Sequence, residues 1–255
     1  MQRTLKNAFA ATVLTGFSLY IWHITYNFGD WAALALIPLA LVIGVGIWPL
    51  MLDPWKARLH LALRRDSPLG KILTGRIRAA FLSAVFTFVA VTLFAWQALS
   101  VSLAQAAVML AAFFLSACIF STGQNILLRH FHQPFARVLA TSLVTWGVAL
   151  PFTLIIAFWT WRWAIMPGPI LDASFQDALR IGLDKLPERE GWIAGILAVP
   201  YSYEAVKLWL VVQLRDYPAV GALFSIDAAL FSFILCRSAI IITQFIDAHI
   251  TRTRE

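Results

Sequence analysis

Charge is scarce in this sequence. Lys and Arg number 20 and Asp and Glu 13 among 255 residues, so 13% of the chain is charged while 60% is hydrophobic. A soluble domain carries about a quarter charged residues, because it must clothe one core in a polar skin. This chain has too few charges for that, and they fall between long stretches that hold none. Cysteine is scarcer still. Cys118 and Cys236 both lie in apolar runs, which excludes a disulfide framework and a cysteine-type metal centre and reads as two small apolar residues. Also missing are Gly-x-Ser-x-Gly, His-Glu-x-x-His, a P-loop and a dinucleotide fingerprint. The loops are too short to fold a catalytic domain. The sequence therefore predicts neither an enzyme nor a bound cofactor.

What is abundant is apolar length. A membrane-spanning helix needs about 20 mostly apolar residues, and the chain offers them at 8–28, 31–52, 79–98, 103–122 and 138–161. Residues 31–52 run 22 positions without a charge. The short basic start, 1–6, leads straight into the first run without a convincing cleavage site, so that run reads as a retained span. The predicted fold is all-α: a polytopic transmembrane bundle forming one integral membrane domain over residues 1–255.

The net charge of +7 does not suggest nucleic acid, because it is concentrated between the apolar runs. Segment 53–78 holds Lys56, Arg58, Arg64, Arg65, Lys71, Arg76 and Arg78 against Asp53 and Asp66, a local net of +5. Such loops lie on the cytoplasmic side and suit anionic lipid headgroups. Residues 162–191 hold four basic and five acidic side chains, as an external loop does. The N-terminus is then cytoplasmic, and the simplest location is a bacterial inner (plasma) membrane.

The last third is ambiguous. Residues 192–214 are long enough to span but contain Pro200, Glu204 and Lys207. Residues 219–246 contain Asp227 and Arg237. If both span, there are seven crossings and the termini lie on opposite sides. If 192–214 lies on the membrane or re-enters, there are six and Arg252 and Arg254 join the N-terminus. A recurring corner slightly favours seven: Leu63-Arg64 before Pro68, Leu128-Arg129 before Pro134, and Leu214-Arg215 before Pro218. Two further segments read as amphipathic interfacial helices. One is cytoplasmic, around Trp55, Leu59, Ala62 and Leu63. The other is external, over 175–186, with a capping box at Ser174 and Asp177 and an apolar face for lipid, for the tops of the spans, or for a partner.

Charges inside a span need a partner, a wet cavity or a function. Asp227 and Arg237 lie about 80° apart on one helix and about 15 Å apart along it, too far to pair with each other. With Ser238 and Gln244 they form a polar stripe, read first as an interhelical clamp and second as a substrate, ion or proton path. Glu204 and Lys207, at i and i+3, can neutralise each other or form a site after a helix break at Pro200. A cross-pairing of Glu204 with Arg237 and of Lys207 with Asp227 is also open. His23 and His249 reach one level only with seven crossings, where two histidines could hold a haem. Hydrogen-bonded interfacial histidines are the simpler reading. Gly44, Gly46, Gly191 and Gly195 are candidates for close helix packing.

Two functions follow. One is a non-enzymatic accessory, assembly or scaffold subunit, touching headgroups through the basic face and a membrane-protein partner through 175–186. The other is a small transporter or channel with its site among Glu204, Lys207, Asp227 and Arg237.

Overall fold

In lipid a large apolar side chain has no reason to hide, so small residues take over the contacts between helices. The first helix, α1 (Gln2–Thr25), is built this way. It buries Ala8, Ala11, Thr15 and Ser18 and turns Phe9, Val13, Phe17 and Tyr20 outward. The buried Thr15 bonds to its own helix: its hydroxyl donates to the Ala11 carbonyl at 3.0 Å.

The computed structural model describes residues 2–62, 74–163, 170, 173–187, 191–214 and 221–251. Of these, 92% are helical and none forms a strand. Two short 3-10 turns, Tyr26–Phe28 and Asp30–Leu36, follow α1. Then come α2 (Ile37–Ala62), α3 (Arg76–Ser100), α4 (Leu103–Leu127), α5 (Gln133–Trp163), the short α6 (Phe175–Asp184), α7 (Trp192–Gln213) and α8 (Gly221–Ile246). All but α6 are long and apolar enough to cross a membrane, seven in number as the sequence predicts. The chain is a multi-pass membrane protein.

The centre of the bundle is α8. From Ser238 to Ile242 every side chain is fully buried, and the helix packs on α5, α4, α2 and α1. Close approach explains how four neighbours fit. A Cβ added to Gly46 of α2 would stand 2.7 Å from the Ile241 side chain and 3.0 Å from its carbonyl oxygen. Gly44, two residues earlier, receives the Ser83 hydroxyl of α3 on its carbonyl at 2.8 Å.

Contacts between the two chain ends show how these helices are arranged. Arg3, in the first turn of α1, lies 3.2 Å from Asp247, just beyond α8. The chain therefore begins and finishes at one end of the bundle, and an even number of helices connects the ends. The exception is α7. Its N-cap Gly191 sits against the Asp30 carboxylate in the turn after α1. Near its other terminus the Trp209 indole donates to the Ala173 carbonyl at 2.9 Å, and Lys207 pairs with Asp227, about 30 Å before Asp247 along α8. Both termini of α7 thus lie at the end far from Arg3. Six helices run end to end and α7 lies across the far end.

Three local expectations change in this setting. The stretch around Trp55 is no separate helix: α2 continues through Pro54 to Ala62, and Leu63 lies outside the described residues. Pro200 does not break α7, which is helical from Trp192 to Gln213; proline removes one N–H, which apolar helices accommodate locally. Gly195 makes no close approach, whereas Gly191 both sits against the Asp30 carboxylate and adopts φ 125°. The corner at Leu128-Arg129 is present, with Pro134 in the first turn of α5; the other two corners fall at least partly outside the described residues.

Candidate functional site

Helix α6 forms where the sequence places it. The Ser174 hydroxyl accepts from the Asp177 N–H at 3.2 Å, and the Asp177 carboxylate accepts from the Ser174 N–H at 3.3 Å and its hydroxyl at 2.6 Å. The hydrogen bond from the Ser174 side chain, then that from its backbone, holds the Asp177 carboxyl below the ordinary aspartate range. The buried face, Ala178 and Gly182, lies on α7, where a Cβ on Gly182 would meet Ala205 at 2.6 Å. Of the surfaces this face could cover, it lies on α7 at the far end of the bundle. Phe175 and Leu183 stay about half exposed.

Beneath it, α7 and α8 bring together two of the four intramembrane charges. Lys207 Nζ lies 2.6 Å from Asp227 Oδ2, with side chains only 11% and 28% exposed, and 5.9 Å from the Tyr203 ring centre. This is half of the cross-pairing. The other half does not form. Glu204 has no ion pair among the described residues, so it does not neutralise Lys207 either. Arg237 lies deeper along α8, beyond reach of a helix that crosses only the bundle end. Its guanidinium stands over the Phe233 ring at 5.8 Å, and no carboxylate pairs with it among the described residues. Of the rest of the polar stripe, Ser238 is fully buried and the Gln244 amide donates to the Thr141 hydroxyl at 3.4 Å.

Sequence reasoning missed a second polar cluster at the basic end. The Asn7 amide donates to the Asp247 carboxylate at 2.9 Å and Arg3 Nε donates at 3.2 Å. Nearby, Gln124, Arg137, Gln244 and His249 line a small cavity with Asp247. The available signal was a lone acid closing the last apolar run, with Arg3 and Asn7 one turn apart. His23 and His249 occupy opposite ends: His23 Nδ1 is 2.7 Å from the Ala98 carbonyl, and His249 Nδ1 is 3.1 Å from the Phe245 carbonyl. They cannot share one haem. No group of three or more His, Cys, Asp or Glu among the described residues is placed to hold a metal.

A large concavity among the described residues is apolar. A groove of about 950 Å³ runs between α2 and α3. Ala40, Gly44, Ala80 and Ala84 give it small walls, and it reaches from Ala33 and Ala95 at the far end to Trp48 and His249 at the basic end. The first turns of α7, from Trp192 to Leu197, close its far end. Behind them Trp22, Tyr26, Trp96 and Tyr201 pack edge to face, and the Trp22 indole donates to the Ala95 carbonyl at 3.0 Å.

No protein-family model, curated protein or solved structure matches the chain.

Proposed function

We propose that the chain is a non-enzymatic accessory subunit of a membrane complex, and that the groove between α2 and α3 receives one transmembrane helix of a partner. The groove carries this reading. From Ile37 to Pro49 it follows α2 for about 18 Å, over half of the roughly 30 Å hydrocarbon thickness. Small residues near one-turn spacing, Ala40 with Gly44 and Ala80 with Ala84, let a second backbone come close, while Ile37, Trp48 and Phe88 supply ridges. The charge pairs at the two ends, Lys207–Asp227 and Arg3–Asp247, tie α7 and α1 to α8, the helix against which α2 packs. Lys56, Arg58, Arg76, Arg78 and Arg137 gather at the basic end, which the positive-inside rule assigns to the cytoplasm. We place that end, with both termini, on the cytoplasmic side of a bacterial inner membrane, against anionic headgroups. Arg64, Arg65 and Lys71 belong to the same reading but lie outside the described residues.

The test is a photo-crosslinking residue at Ala40 or Ala84, with Leu154, exposed on α5, as control. The expected result is one protein captured in stoichiometric amount from both groove positions, not from Leu154, and lost in Ala84→Trp. Capture of lipid alone, or of the same proteins from Leu154, refutes the reading.

A second reading, a small transporter or channel, is favoured by one observation: Arg237 sits mid-helix over the Phe233 ring, with no carboxylate paired to it among the described residues. If Arg237→Leu abolished a solute flux while the protein still folded and assembled, that reading would replace the first.

A further inference from the structure

Where α2 ends and α3 begins, a cavity of about 170 Å³ opens at the basic end. It is lined by the exposed Arg58 of α2 and Arg78 of α3 and by Trp55, with Leu50, Met51 and Leu82 as its apolar walls. No carboxylate lines it, and neither arginine has an ion pair among the described residues. Two like charges brought to one small cavity repel unless an anion lies between them.

The arrangement is held in place. The Trp55 indole lies over Gly75, where an added Cβ would come within 2.2 Å of the ring, and Gly75 adopts φ 68°. The Arg78 guanidinium in turn stands over the Trp55 ring at 4.9 Å, a cation–π contact that fixes its direction. The local sequence also breaks a rule. Helix α3 begins at Arg76 with no acidic residue in its first turn and no side-chain cap, and it places Arg76 and Arg78 where the helix dipole disfavours cations. An anion at this point would satisfy both the free N–H groups and the arginines.

We infer that this cavity binds the phosphate of one anionic phospholipid, with Arg58 and Arg78 gripping the headgroup and Leu50, Met51 and Leu82 meeting the start of its chains. The shared chemistry, a phosphate monoanion, could also come from free phosphate. The apolar depth of the cavity and its place beside the lipid-facing Phe81 and Val85 favour the lipid. Room for about five waters at roughly 30 Å³ each accepts a phosphate and a few carbons, not a whole lipid, so the chains must lie outside along α3. The site is independent of whether the groove holds a partner.

The test is lipid titration of the full-length protein, followed by native mass spectrometry and by the thermal midpoint. The probes are phosphatidylglycerol, phosphatidylcholine and inorganic phosphate. Wild type should retain one phosphatidylglycerol in preference to phosphatidylcholine, and millimolar phosphate alone should not raise the midpoint. Arg58→Gln with Arg78→Gln should weaken retention at least about tenfold, the factor one lost charge-assisted hydrogen bond is worth. Arg58→Lys with Arg78→Lys keeps the charge but loses the fork, so it should fall between and shows that loss does not come from misfolding. Lys6→Gln with Arg129→Gln removes the same charge elsewhere at that end and should change retention less than threefold. Equal losses in the two Gln pairs, or no preference over phosphatidylcholine, overturns the proposal. Phosphate binding as tightly as the lipid overturns the lipid as ligand.

Discussion

Helices α7 and α8 are near neighbours in sequence, of similar length, and each carries two charges. Their fates are opposite. The candidate span in α8 is 67% buried and that in α7 is 33% buried. The difference lies in side-chain size and placement. Around its buried girth α8 carries Ser232, Cys236, Ser238, Ala239 and Thr243, so helices can approach from several directions. Helix α7 carries Trp192, Tyr201, Tyr203 and Trp209, residues that prefer the boundary between lipid and water. Mean hydropathy, 1.3 against 1.9, passes both as spans. It measures how apolar a helix is and not which neighbours it can admit.

The sharpest way to break this comparison is topology. In a chain whose Cys118 and Cys236 are replaced by alanine, single cysteines at Gln2 and Ile250 should react with a membrane-impermeant thiol reagent from the same side of sealed vesicles. Labelling from opposite sides would mean that α7 spans. The next effect is steric. Ala239→Phe overfills the hub and should destabilise by about 1–3 kcal/mol in a chemical-denaturation assay, whereas Val199→Phe, on the exposed side of α7, should stay within about 0.5 kcal/mol. The two helices meet through Lys207 and Asp227. Lys207→Met alone strands a half-buried carboxylate and should cost about 1–3 kcal/mol, while Lys207→Met with Asp227→Leu should recover most of it. Additive losses would show that the pair is not a unit.

The smallest effect is acid-dependent. The Asp177 carboxyl titrates below its unfolded range, so the cap of α6 is fully present at neutral pH and is lost as pH falls through that lowered value. Hydrogen exchange at Asp177 and Ala178 should accelerate in acid, and Asp177→Asn should flatten the dependence. An unchanged profile in that variant would show that another group controls α6.

Much of the fold was legible because each span is long, apolar and bounded by charge. The capping box at Ser174 was legible because its two partners are three residues apart. The pairing of Lys207 with Asp227 could be proposed but not chosen over its rivals, since helix composition does not record which helix faces which. Arg3 and Asp247 are 244 positions apart, and nothing local marks them as partners. The groove was invisible for a related reason: Ala40, Gly44, Ala80 and Ala84 are individually ordinary, and only the crossing of α2 and α3 makes them one wall.

That α8, the hub, is made after the helices it packs on has a consequence for synthesis. When α5 leaves the ribosome, α1 to α5 are in the membrane and the helix they pack around does not yet exist. About 80 residues separate Trp163 from Ile246, roughly 4–16 s of translation at 5–20 residues per second. For that interval the unfilled centre, with its Gly46 and buried hydroxyls, is open to lipid, to an insertion factor or to a protease. A chain cut short before Ser238 would be a shell without its axle, and the cell has that whole interval in which to recognise one.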